Sequence, residues 1–189
     1  METGMIIILV VVGFFLIYIF STYNRLVGLR NFAKNAFSNI DTQLKKRYDL
    51  LPNLIATVQK YMEHEKDTLV KVTEMRTRAM SGNISDDEKV KLDNQISKAV
   101  GGIMVSVERY PELKANENFM QLQRTLNEIE EQLSATRRSY NMSVTEYNNA
   151  LEMFPSNIIA GMFSFKAKNL FQISEQERQN VDVKGLFNS

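Results

Sequence analysis

Hydrophobic side chains follow two different rhythms along this chain. From Gly4 to Tyr23 (GMIIILVVVGFFLIYIFSTY) they are nearly continuous and no side chain is charged. Such a run rises about 1.5 Å per residue as a helix and reaches roughly 30 Å, the hydrocarbon thickness of a bilayer. Beyond it, apolar residues recur at steps of three and four: Leu26, Leu29, Ala33, Ala36, Ile40 and Leu44, then Leu51, Ile55, Val58, Met62, Leu69, Val72, Met75 and Ala79. This is a helix period, with one face turned toward partner helices and Lys, Glu, Thr and Asn filling the other. With no Gly or Pro cluster between Tyr23 and Arg25, the first helix is expected to leave the bilayer without a hinge. Pro52 predicts a kink or helix boundary near 49–52, with Asp49 as the N-cap of a restart.

The clearest break is SGNISDDE at 81–88, where Gly82 and Asn83 suit a left-handed stop and Ser85 with Glu88 forms a capping-box pattern. A second helix carries Leu92, Ile96, Val100, Ile103 and Val107, with Gly101 and Gly102 allowing close backbone approach, and ends near Tyr110 and Pro111. A third opens near Asn116 and repeats through Phe119, Leu122, Leu126, Ile129, Leu133, Thr136, Tyr140, Val144, Tyr147, Leu151 and Phe154 until Pro155 stops it. No segment alternates over a strand length between turn signals, so the expected class is all-α. The expected architecture is an N-terminal single-pass transmembrane helix continuing into an elongated antiparallel helical bundle. By composition the divisions are an anchor over 1–23, a bundle over 24–155 with breaks near 49–52, 81–86 and 110–116, and an apolar segment and tail over 156–189.

A cleaved signal would want a basic start and small residues at a cleavage site; Glu2 and the sequence STYNRLVGLR supply neither, so an uncleaved anchor is expected. Arg25, Arg30 and Lys34 beyond the run favour a cytoplasmic C-terminal domain. Lys plus Arg number 23 against 22 Asp plus Glu, which argues against nucleic acid as a partner. With Cys 0 there is no disulfide framework, thiolate metal site or redox motif.

Candidate chemistry is thin. The one histidine, His64, lies in YMEHEKD, and the positions three and four before it hold Tyr61 and Lys60 rather than the acid that a bundle metal motif needs. Asp67 adds one carboxylate, too few ligands for a transition metal. No nucleophile elbow and no phosphate-binding glycine loop is present. No catalytic, metal or cofactor residue is therefore assigned, and the chain is expected not to be an enzyme. Polar residues on the packed faces stand out instead: Arg47, Asp49, Pro52 and Asn53 in RYDLLPNL, and Arg137, Tyr140, Asn141, Tyr147 and Asn148 in RRSYNMSVTEYNNALEMFPSN. Seam Asn residues fix register and Arg with Asp makes bundle salt bridges, so a structural polar network is favoured over ligand binding. From Phe154 to Ile173 the chain is again apolar, with only Lys166 and Lys168 charged. Phe163, Phe165 and Phe171 there either cover the bundle or meet the headgroup layer, and a segment folded back on the bundle is favoured.

The order of several motifs resembles the LemA family: YNRLVGLRN, NAFSNIDTQLKKRYDLLPNLIATVQKYMEHE, YPELKANENFMQLQ, RRSYNMSVTEYN and FPSNIIAGMFSF, spread between Tyr23 and Phe165. The resemblance implies a long antiparallel bundle on a single-pass helix in a bacterial membrane, with no enzymatic activity established for the family as a whole. A magnetosome-membrane relative in that family implies shaping or organising of membrane. This chain departs from the family pattern at Phe37 (usually Trp), Thr136 (Ala), Ser164 (Gly) and Lys166-Ala167 (Lys-Pro), and its acidic stretch after the last aromatic is replaced by Phe171, Gln172 and Ile173. The expected function is a membrane-anchored, non-enzymatic bundle that self-assembles and organises or shapes the membrane, with the lipid bilayer and further copies of itself as partners. The alternative is an adaptor that recruits a protease or signalling membrane protein through its helix faces.

Overall fold

A computed structural model describes residues 2–62, 64–82 and 84–171. The described residues form six helices: α1 (Glu2–Val58), α2 (Lys66–Ala79), α3 (Asp86–Val107), α4 (Pro111–Lys114), α5 (Glu117–Glu152) and α6 (Ser156–Met162). No strand occurs among them. The all-α class expected from the helix-period stripe is the class found.

Local capping explains two of the helix starts. Ser85 accepts the Glu88 N–H at 3.2 Å and opens α3, while the Glu88 carboxylate turns to Arg78. Asn116 accepts the Phe119 N–H at 3.1 Å and opens α5. After α2 the chain passes through Gly82 at φ 72, the left-handed geometry that glycine adopts without a Cβ penalty. Asn83, the expected partner in that stop, lies outside the described residues. α5 ends at Glu152, just before Pro155.

Two expectations are corrected. Of the kink or boundary expected near 49–52 the boundary is absent: α1 runs through Pro52 to Val58, and the chain turns at 59–62 and 64–65, in a stretch without Gly or Pro. Proline removes one backbone donor from a helix, and here the carbonyl so released is satisfied from outside the helix, as described below. Gly102 makes no close approach; a Cβ built there meets nothing within 4 Å, and the residue is exposed.

By packing, the chain divides into two compact units. In one, the part of α1 up to Gln43 lies with Gln132–Leu170. Leu26 and Ala150 share a core cluster and the Phe37 and Tyr140 rings lie 5.6 Å apart, so α1 and α5 run antiparallel here. Ile159 and Ala160 of α6 complete the cluster, and Ile19, Tyr23, Leu29, Leu151 and Phe165 pack around it. Full burial of a side chain such as Leu26 stabilises by about 1.5–3 kcal/mol.

The other unit holds Leu44–Glu131 together with Phe171. Its core includes Leu44, Leu51, Leu54, Val58 and Met62 from the α1 end and its turn, Leu69 and Val72 from α2, Ile96, Ile103 and Val107 from α3, and Phe119 from α5. α2 packs on α3. The turn after α1 is pinned by Glu65, whose carboxylate accepts from Arg109 Nη2 at 2.6 Å and from the Tyr110 hydroxyl at 3.1 Å. The apolar run and the first part of the amphipathic stripe belong to one helix, α1.

Candidate functional site

In the unit over 44–131, the stripe of α1 puts Arg47 on its inner face beside Leu44, Leu51 and Leu54. A guanidinium in that position needs acceptors from neighbouring helices. α3 provides Asp93 and Ser97, four residues apart and so on one face, and α5 provides Glu130. Arg47 Nη1 reaches Asp93 Oδ1 at 3.2 Å, donates to Ser97 Oγ at 2.8 Å and lies 3.0 Å from Glu130 Oε2. The Tyr48 hydroxyl donates to Asp93 Oδ1 at 3.4 Å. Asp93 is fully buried, so this cluster ties three helices together through one desolvated charge pair.

A second brace in the same unit surrounds Pro52. A residue at 52 with an N–H would bond the Tyr48 carbonyl; proline has none. Arg76 of α2 donates from Nε to that carbonyl at 2.7 Å, and its Nη2 lies 4.0 Å from Asp49. Asp49 and Asn53 are both exposed, and the Asn53 carbonyl accepts from Thr57 Oγ1. Asn53 also borders a shallow groove with Leu50, Ala56, Asn118, Gln121 and Leu122.

The third arrangement belongs to the other unit. After α6, Ser164 adopts φ 54, its N–H bonds the Gly161 carbonyl, and the Phe165 N–H bonds the Ala160 carbonyl. This pair of bonds is a Schellman stop, with Phe165 contacting the Ile159–Ala160 cluster as such motifs favour. The chain then runs without helix as a strap over 165–170, held to α5 by side chains that bond its backbone. Tyr147 OH donates to the Lys166 carbonyl at 3.0 Å and Tyr140 OH to the Asn169 carbonyl at 3.0 Å. Asn148 makes a two-way pair with Lys168: its Nδ2 donates to the carbonyl at 2.9 Å and its Oδ1 accepts the N–H at 3.0 Å. Burial pushes the Tyr147 phenol above its ordinary range, with the Arg30 charge opposing. Arg137 is buried. Asn141 lies beside Phe32 and Met142 along an open groove.

The three aromatic residues of the tail divide. The Phe165 ring is half-buried, 5.7 Å from the Tyr23 ring and 5.3 Å from the Arg30 guanidinium carbon. Phe171 is buried. Phe163 meets Tyr23 at a tilt, with ring centroids 4.7 Å apart, yet keeps about half its surface exposed. Ile173 and Gln172, the end of the apolar stretch, lie outside the described residues.

The turn after α1 leaves His64 exposed. Among the described residues no group of three His, Cys, Asp or Glu side chains gathers as metal ligands would. Sequence reasoning singled out Arg47 but missed its partners Asp93, Ser97 and Glu130, and it missed Arg76. Asp93 had a signal: it sits in the α3 stripe next to Leu92 and three residues before Ile96, and a carboxylate on an apolar face calls for a cation. Arg76 had none, since only the fold brings it to Tyr48.

One described helix, α1, is long and apolar enough to cross a membrane, and the side chains of its apolar segment are mostly exposed to the surroundings. Protein LemA of Metamycoplasma hominis is 30% identical over 175 residues, covering 93% of this chain and 80% of that protein. Magnetosome protein MamQ 2 of Paramagnetospirillum magneticum is 21% identical over 79% of this chain, and MamQ of Magnetospirillum gryphiswaldense 20% over the same share; the aligned part spans 64% of each of these two relatives. The LemA family model matches residues 36–184, which takes in α1 from Ala36 onward, the braces around Arg47 and Pro52, and the strap. With a match of that extent, the chain belongs to the LemA family.

Proposed function

We propose that this protein is a non-enzymatic, membrane-anchored helical bundle that self-associates and organises or shapes the bilayer that carries it. The observation that carries this reading is that the spanning helix is also a wall of the bundle. α1 continues past Arg25 without a linker, and Leu26 is closed in by Ala150, Ile159 and Ala160. A bundle joined in this way cannot swivel freely on a tether, so contacts between neighbouring copies would act on the anchors themselves. The polar residues of the packed faces add support, because Arg47, Tyr140, Tyr147 and Asn148 spend their hydrogen bonds on neighbouring helices and on the strap. The relatives named as magnetosome proteins support a role at a membrane. Arg25, Arg30 and Lys34 favour a cytoplasmic position for the bundle.

Reconstitution of the full chain into vesicles at rising protein-to-lipid ratio, followed by electron imaging and by sizing in nanodiscs, tests this. Clusters of copies with altered vesicle outline are expected. Monomers throughout, on vesicles of unchanged shape, would overturn the proposal. The adaptor alternative draws on the groove along α1 and α5 at Asn53, Asn118 and Gln121, a mixed polar and apolar surface open to a partner helix. It predicts one co-purifying membrane protein at fixed ratio, lost on Gln121→Arg.

A further inference from the structure

The last member of the apolar period that runs along α5, Phe154 just beyond the helix end, does not behave as a core residue. The helix period assigns Phe154 to the buried face, yet it is 79% exposed, and Met153, Ile158 and Met162 beside it are 60%, 54% and 65% exposed. From Met153 through Phe165 no side chain is charged. Contiguous apolar patches of this kind are uncommon on surfaces facing water. α6 is the element that presents most of it: Ile159 and Ala160 point into the cluster with Leu26 and Ala150, which leaves Ile158 and Met162 facing away from it.

The same unit says what lies against this corner. The charge-free part of α1 ends at Asn24, before Arg25. A bilayer crossing takes about 20 residues, so the hydrocarbon boundary falls near Phe20 to Tyr23. Ile19 and Tyr23 both pack around the cluster that includes α6, and the Tyr23 and Phe163 rings lie 4.7 Å apart. Tyr23 is the kind of residue that marks the membrane–water boundary. α6 is therefore held at the level of that boundary by the anchor itself. Basic residues follow that boundary along α1 at Arg25 and Arg30, and the Arg30 guanidinium lies 5.3 Å from the Phe165 ring.

We infer that the α5–α6 corner is a second membrane contact: Phe154, Ile158 and Met162 enter the headgroup–acyl boundary of the bilayer that α1 crosses. The occupant of the patch is lipid. The contact rests on α1 spanning the bilayer, and it deepens the proposed function by seating the bundle on the membrane at two places. Two points of contact resist tilting of the bundle about its anchor.

The chain has no cysteine, so single cysteines can carry a nitroxide at unique places. Full-length protein in phosphatidylcholine–phosphatidylglycerol vesicles is labelled at Phe154→Cys, Ile158→Cys, Phe14→Cys or Met142→Cys, and collision with oxygen and with a water-soluble nickel chelate is measured. All four positions are exposed, so the substitutions leave the core intact. Labels at 154 and 158 are expected at a depth of about 5–10 Å, with the label at 14 deeper and the label at 142 in water. Lipid exposure at 14 with water exposure at 154 and 158 overturns the second contact while leaving the anchor in place. Labels at 154 and 158 shielded from both reagents and spin-coupled between molecules overturn it too, since a second copy then covers the patch. Water exposure at 14 overturns the anchor reading itself.

Discussion

Arg76 donates from Nε to the backbone carbonyl of Tyr48 at 2.7 Å, the carbonyl that Pro52 leaves without its helical donor. A proline inside a helix costs about 3 kcal/mol or more, through the missing hydrogen bond and a clash with the preceding turn. The first of these losses is offset by a side chain from α2. Pro52 and Arg76 are thus coupled through a carbonyl that belongs to neither.

The coupling has a measurable consequence. Arg76→Met leaves the Tyr48 carbonyl without that donor and is expected to cost about 1 kcal/mol, the low end for an unsatisfied acceptor because the site is only partly buried. In a Pro52→Ala background the backbone N–H restored at position 52 takes over, and the same substitution is expected to cost much less. Denaturant unfolding of the four variants of this cycle in detergent checks it; equal costs in both backgrounds would deny the coupling.

Around Arg47 the larger effect is expected. Arg47→Met strands the fully buried Asp93 carboxylate, at an expected cost of about 3–5 kcal/mol. Replacing both, as Arg47→Met with Asp93→Leu, removes the stranded charge and is expected to recover most of that loss. Thermal unfolding followed by circular dichroism reports both variants.

Ser164 stands at φ 54, where an L-residue with a Cβ is strained. Ser164→Gly is expected to stabilise the chain by roughly 0.5–1 kcal/mol, the relief of strain less the greater freedom of glycine in the unfolded chain. Ser164→Val is expected to destabilise it and to expose the strap to trypsin at Lys166 and Lys168. Melting temperature and limited proteolysis read the two effects.

Tyr147 carries a pH dependence with a definite sign. Burial raises its pKa in the folded state, so its contribution to stability is fully present below the unfolded value of about 10 and is lost as pH rises through the folded value. Above about pH 10 the unfolded chain ionises first and unfolding becomes easier. Tyr147→Phe is expected to be less stable at neutral pH, through loss of the bond to the Lys166 carbonyl, and to lose stability less steeply above about pH 10. Melting temperatures from about pH 8 to about pH 11, spanning the ordinary phenol range, decide it.

Much of this molecule was legible in the order of its residues, and the legible parts are those governed by local physics. The charge-free run, the stripe from Leu26 to Ala79, the caps at Ser85 and Asn116 and the stop before Pro155 depend on hydrophobic period and on hydrogen bonds within a turn. Tertiary structure decided what depends on distant partners. It let α1 continue through Pro52, because Arg76 arrives from another helix. It put the real turn after Val58, where Glu65 meets Arg109 and Tyr110. It gave Arg47 its acceptors on α3 and α5. It laid the apolar tail down as a strap on Tyr140, Tyr147 and Asn148, and it left Phe154 outside the core that its period assigns it to. A residue's period records which face it occupies, whereas a buried charge, a freed carbonyl or an outward aromatic is settled only by what the folded chain brings next to it.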